Sequence, residues 1–245
     1  MKRAIILSAG QGSRLGPMTY ERPKCLIEFA GRSLLDRQLD TLGACGVEEA
    51  IVVTGFRDRD VEAAIALRSG GIRVRTVFNP FYKVADNTGS LWLAREALAG
   101  DVLVWNGDTM VSDSLMHQVV TNACDGICVT VDRKAAYDAD DMKVITADDG
   151  RLIAIGKRLE AGVNAESIGL LAFRGAGAAT FRSAIDSAMR TAEGTTIWYL
   201  RVIHHLAQSG DVRTLDIQGE EWGEVDFPED VERAEAMVQG WAAAQ

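Results

Sequence analysis

Three short segments carry residue types that handle phosphates and metal ions. The first is Leu7-Ser8-Ala9-Gly10-Gln11-Gly12-Ser13-Arg14-Leu15-Gly16, followed by Arg22-Pro23-Lys24. Glycines let backbone N–H groups approach an anion without Cβ interference. Arg14 adds a forked donor and Lys24 a compact positive charge, so the set suits a triphosphate. The spacing Gly10-x-Gly12-x3-Gly16 differs from the dinucleotide fingerprint, and no Gly-Lys-Ser/Thr follows the loop. Dinucleotide and Walker-type phosphate binding are both disfavoured on that spacing.

The second segment is Val102-Leu103-Val104-Trp105-Asn106-Gly107-Asp108. A carboxylate at the end of a buried strand can hold Mg²⁺ against phosphate oxygens, or it can cap a helix beginning near Ser112. The third is Trp222-Gly223-Glu224-Val225-Asp226-Phe227-Pro228-Glu229-Asp230, in which Asp226 reads as a second metal ligand or, more readily on position alone, as the cap of a Pro-initiated helix. Further downstream, Asp140-Asp141-Met142-Lys143, Gly156-Lys157, Glu166 and Trp198-Tyr199 offer an acceptor site. A phosphate needs a cation, for which Lys157 is first choice and Lys143 second. A cationic head group needs a carboxylate or aromatic faces, which Glu166, Trp198 and Tyr199 supply. Packing of Trp198 and Tyr199 on a helix, and solvation of the two lysines on a hairpin, are the plain alternatives.

The elements that must position these residues alternate. Apolar runs at 3–8, 50–54, 73–78 and 101–105 read as strands. Helical spacing appears at 33–44, with Ser33 as N-cap, and at 58–67 and 88–99. This alternation implies a parallel sheet covered on both faces, whose ligands bind at the carboxyl ends of the strands. The second half changes character. Strands at 142–147 and 151–155 flank the turn Asp148-Asp149-Gly150, and further strands fall at 167–173 and 212–217. Helices are expected at 175–192, 196–207 and 229–241. The fold class is therefore α/β, a Rossmann-like mixed, mostly parallel sheet flanked by helices, with a small β-hairpin lid. One domain over 1–245 is expected: nucleotide-binding to about 130, acceptor-binding over about 131–228, and a terminal helix over 229–245.

Bulk properties narrow the function. The 245 residues carry a net charge of −9, which argues against non-specific nucleic-acid binding. Yet residues 1–40 hold seven Lys/Arg against four Asp/Glu, which suggests a local anion site. No apolar run approaches the ~20 residues of a membrane span, and the N-terminal apolar stretch is too short for a signal peptide. A cytoplasmic protein that binds neither membrane nor nucleic acid is expected. Three histidines are too few for a His-based metal centre, and the four cysteines read as reduced structural thiols.

Together the three segments resemble the sugar-phosphate and alkyl-phosphate nucleotidyltransferase superfamily. Its opening pattern A-G-x-G-x-R-L…P-K is similar to Ala9-Gly10-x-Gly12-x-Arg14-Leu15 and Pro23-Lys24, its strand-end Gly-Asp to Gly107-Asp108, and its late acidic motif to the segment from Val225 to Asp230. The resemblance implies that Ala9, Gly10, Gly12 and Ser13 bind the nucleotide and that Arg14 and Lys24 contact its phosphates. It also implies that Asp108 and Asp226 hold Mg²⁺. A narrower resemblance is to the phosphocholine and aminoethylphosphonate cytidylyltransferase branch, carried by Asp86-Asn87-Thr88-Gly89-Ser90-Leu91-Trp92. It implies CTP as donor, with Asn87 and Ser90 as pyrimidine or ribose contacts, and a small phosphate or phosphonate as acceptor. The alternatives are a sugar-1-phosphate uridylyl- or thymidylyltransferase and a non-catalytic nucleotide-sugar sensor. A homodimer is compatible with the sequence.

Overall fold

The computed structural model describes residues 1–210 and 212–243. In chain order it begins with β1 (Arg3–Leu7), β2 (Glu28–Phe29), β3 (Arg32–Ser33), α1 (Leu34–Ala44), β4 (Glu49–Thr54), α2 (Asp58–Ala66) and β5 (Arg73–Phe78). Then follow α3 (Asn87–Leu93), β6 (Val102–Asn106), β7 (Thr109–Val111), α4 (Asp113–Asn122) and β8 (Gly126–Asp132). The remainder is β9 (Lys143–Thr146), β10 (Leu152–Ile155), β11 (Ala165–Arg174), α5 (Gly177–Met189), α6 (Tyr199–Ala207), β12 (Val212–Asp216), β13 (Trp222–Glu224) and α7 (Pro228–Ala243).

The main sheet runs β10-β9-β11-β6-β1-β4-β5, with β8 also on β11 and β12 on β8. Strands β6, β1, β4 and β5 are mutually parallel, while β11 is antiparallel to β6, β8 and β9. Period-two alternation divides the central strands between two cores. On β1 and β4, Ile5, Ile51 and Val53 face α3, α5 and α6, whereas Ala4, Ile6, Ala50 and Val52 face α1 and α4. A third cluster joins Leu15, Phe29, Leu34, Met110 and Val225 to Ala234, Met237 and Val238 of α7. This cluster fixes the segment bearing Arg14, the strand after Asp108 and the turn before Asp226 against one helix.

The structure keeps the expected strand–helix alternation and adds detail. The expected helix 88–99 stops at Leu93, where Ala94 leaves helical geometry, and a 3₁₀ turn at Arg95–Ala97 follows. The helix expected from 196 begins at Tyr199, because Trp198 is extended (φ −77°, ψ 144°). Strand β8 was not expected from the sequence, and α4 was expected only as a helix beginning near Ser112, which is its N-cap. β8 is nearly all buried, so the half-exposed alternation that marks a strand is missing from it. The hairpin β9–β10 forms as expected but does not stand apart: β9 pairs β11 through Ala165 and Glu166, extending the main sheet. The terminal helix is seen as Pro228–Ala243, and positions 244 and 245 of that expected segment lie outside the described residues. Among the described residues no helix is long and apolar enough to cross a membrane.

Candidate active site

β1 and β6 lie side by side in register Leu7↔Asn106, so the glycine loop and Gly107-Asp108 leave the sheet together at its carboxyl edge. Gly107 sits so close to β1 that a Cβ there would be 2.4 Å from the Leu7 carbonyl oxygen. Gly12 has φ +73°, and a Cβ there would meet the Lys24 side chain at 2.9 Å. The missing Cβ therefore lets Lys24 cross the loop and reach the strand ends. The two-stranded ribbon β7–β13 returns the chain from the other direction, and the Val225 amide donates to the Asp108 carbonyl at 3.0 Å. Asp226 follows; Asp230, in the first turn of α7, reaches back to accept from the Asp226 and Phe227 backbone N–H groups at 3.0 and 2.8 Å, and the Asp226 carboxylate faces the cations rather than the helix.

The charges converge on one amine. Lys24 Nζ donates to Asp108 Oδ2 at 2.8 Å and to Asp226 Oδ1 at 2.7 Å, and Arg14 donates to Asp226 Oδ2 at 2.7 Å. Burial opposes the charge on Lys24, but the two carboxylates overcome it and raise the ammonium above its ordinary range. Burial would likewise raise Asp226; Lys24 and then Arg14 instead hold it below the usual carboxylate range. Glu224 completes the acidic floor. Lost hydration inside the concave cleft, then Asp108 and Asp226, push it up to about 8. Asp108 Oδ1 is buried with no hydrogen-bond partner. A divalent cation fits there: two carboxylates lie within reach of one ammonium, and one carboxylate oxygen is unclaimed. Among the described residues no group of three or more His, Cys, Asp or Glu forms a cage. Two protein carboxylates suit Mg²⁺, which takes its other ligands from phosphates and water.

Three cavities meet here. The smallest, about 260 Å³, is lined by Gly10, Gly12, Ser13, Arg14, Lys24 and Asp226. The second, about 580 Å³, is walled by Ala9, Tyr82, Asp86, Asn87, Ser90 and Thr195. The third, about 740 Å³, holds Lys134, Lys157, Glu166, Trp198, Trp222 and Phe227. Asp108 lines all three.

The structure thus brings Ala9, Gly10, Gly12, Ser13, Arg14, Lys24, Asn87, Ser90, Asp108, Lys157, Glu166, Trp198 and Asp226 to one cleft system. It reassigns the remaining two residues, and the carboxylate of a third. Tyr199 offers no face to a ligand. It is fully buried, its ring packs edge-on against Phe181, and its hydroxyl donates to Asn106 Oδ1 at 3.0 Å. Lys143 does not line the cleft, since its ammonium donates to the Lys157 carbonyl at 3.2 Å and ties the hairpin together. Glu166 lines the cleft, but its carboxylate is already met by the protein's own Lys134 at 3.0 Å, which also holds Asp141 at 2.8 Å. Burial raises Glu166 to about 7 despite that partner. Asn87 and Ser90 also serve the fold: Asn87 Oδ1 accepts from the Tyr199 amide, and Ser90 Oγ accepts from buried Asn79. Lys134 was not singled out from the sequence, and Trp222, Glu224 and Phe227 stood in the third segment without an assigned role. Phe227, between two singled-out residues, lies under Arg14 with 5.0 Å from guanidinium to ring centroid.

Comparison with known proteins places this geometry. The chain is 32% identical, over 98% of its length, to a "Bifunctional IPC transferase and DIPP synthase" of Rubrobacter xylanophilus, covering 53% of that protein. It is 30% identical, over 95% of its length, to a "CMP-5'-(3-aminopropyl)phosphonate synthase" of Streptomyces rubellomurinus, covering 38% of it. The chain thus spans about half the length, or less, of these curated relatives. The inositol-1-phosphate CTP transferase of T. maritima superposes with a TM-score of 0.83 at 22% identity, over 98% of this chain and 96% of that one, and so shares the fold. Residues 4–192 match the MobA-like NTP transferase domain, more than three quarters of the chain and both the glycine loop and Asp108; the chain belongs to that family.

Proposed function

We propose that this chain is a nucleotidyltransferase that couples CTP to a small phosphate or phosphonate acceptor, such as phosphocholine or 2-aminoethylphosphonate, and releases pyrophosphate. The observation that carries the reading is the convergence of three cavities on Asp108. One is walled by glycines and cations and suits a triphosphate. One is lined by Asn87 and Ser90 and suits a base with its ribose. The third takes the acceptor. The relatives named for transfer of CMP or CTP to phosphonates and phosphates support the choice of donor and acceptor class.

An oxygen of the acceptor's phosphate or phosphonate attacks the α-phosphorus in line, and the bond from that phosphorus to the bridging oxygen of pyrophosphate breaks. The nucleophile is already anionic at neutral pH, so no general base is required. Catalysis is positioning plus charge neutralisation. Arg14 and the loop amides would hold the departing pyrophosphate, and Lys24 the α-phosphate. As these cations turn to phosphate oxygens, the carboxylate oxygens they now hold become available. Asp108 and Asp226 would hold Mg²⁺, whose chemistry is neutralisation of phosphate charge. Lys157 would contact the acceptor's phosphate.

The test is pyrophosphate release with each nucleoside triphosphate over a panel of choline, aminoalkylphosphonate, inositol and sugar phosphates. CTP with an alkyl phosphate or phosphonate is expected to give the highest kcat/KM. Release only with UTP or dTTP and a sugar phosphate, or with no pair at all, would overturn the reading. Asp108→Asn is expected to lower kcat by about 10²–10³-fold while the thermal melt stays within a few degrees.

A further inference from the structure

The acceptor cavity already contains a cation receptor, and the protein's own lysine fills it. Lys157 Nζ stands 5.3 Å from the centroid of the Trp198 ring and 4.0 Å from Asp140 Oδ1. Trp198 is 41% exposed and forms part of the cavity wall. An aromatic face with a carboxylate beside it is a general receptor for alkylammonium groups. Asp86, the N-cap of α3, lines the neighbouring cavity, and burial raises its carboxyl against the pull of the Asn87 amide, the Trp198 indole and the Lys157 charge. Acids outnumber bases nine to four along the cavity wall, so a cation is favoured there over a second anion. Lys157 and Asp226 line the same cavity, where the reacting phosphate would lie.

Resting on the transferase reading above, we propose that the acceptor carries an alkylammonium group which displaces the Lys157 ammonium from Trp198 and Asp140, and that the displaced Lys157 turns to the acceptor's phosphate or phosphonate. The receptor holds one cation at a time. An ammonium arriving alone ejects Lys157 without giving it an anion, and that cost weakens binding. An acceptor bearing both charges supplies the replacement cation and the new anion together, and charge-assisted bonds to Lys157 offset the exchange. Lys157 is thereby a specificity device that admits zwitterions and penalises either half.

The test is calorimetric titration of the full chain with choline chloride at fixed ionic strength, with and without inorganic phosphate. In the wild type phosphate is expected to tighten choline binding. Lys157→Met and Lys157→Gln are each expected to bind choline about threefold to tenfold tighter than wild type without phosphate and to lose the phosphate effect. Trp198→Ala is expected to lose choline binding. The neutral isostere 3,3-dimethyl-1-butanol is expected to gain nothing from either Lys157 change. Choline binding that is unchanged or weaker in both Lys157 variants overturns the proposal, as does an equal gain by the isostere. These titrations need no turnover. Failure of pyrophosphate release alone would therefore sink the transferase reading. Release with inositol phosphate but no choline gain would sink this proposal alone.

Discussion

At the scale of single residues, the site is a balance of buried charges held by few partners. Glu166 shows what that balance costs. Its carboxyl is raised from 4.5 to about 7, mainly by burial and against the pull of Lys134. A carboxyl raised on folding contributes stability that is complete below its unfolded value near 4.5 and is lost as pH climbs through 7. Glu166→Gln removes that penalty and leaves Lys134 paired with Asp141. The variant is expected to match wild type near pH 4.5 and to exceed it by about 3 kcal/mol above pH 8, in urea melts across pH. An equal difference at both pH values would show that Glu166 is not titrating. The residue types of the phosphate site were legible because glycine, Arg, Lys and Asp stand in three compact motifs. Lys134 was not, since its value comes from the fold of the loop that brings Asp141 to it and from Glu166 on β11, 32 positions away.

At the scale of elements, the decisive contact is the crossing of the Gly107 turn over the end of β1. Gly107→Ala would place a methyl group 2.4 Å from the Leu7 carbonyl and 2.6 Å from Ser8 Oγ. Backbone must shift to accommodate it. A loss of about 1–3 kcal/mol in denaturant unfolding is expected, together with a fall in kcat of about 10²-fold as Asp108 moves from its place. Unchanged stability would mean that the turn can move away from the end of β1. Local signals served well here where they were self-contained: Ser33 caps α1 through Oγ and the Asp36 amide, as its sequence position suggested. They served poorly where a second element intervened. The helix expected from 196 starts later because the first amide of α6, that of Tyr199, is capped by Asn87, 112 residues away in the chain.

At the scale of the whole molecule, β11 joins two regions. It pairs with β6, β8 and β9, linking the parallel strands around the glycine loop to the acceptor-side strands. Amide hydrogen exchange is expected to be slowest in β1, β6 and β11 and fastest along the edge strands β5 and β10. Protection of β5 equal to that of β1 would point to an edge partner, such as a second copy. The sequence by itself determined the alternation of strands and helices and the chemical character of the phosphate site, because periodicity and short motifs are local properties of the chain. Only the tertiary structure decided that Lys24 bridges Asp108 and Asp226, which turns the Asp226 carboxylate away from α7. It also sent Tyr199 into the core and set Lys157 on Trp198. Which face of a helix is buried, and which charge meets which, depends on elements far apart in sequence that the hydrophobic clusters draw together.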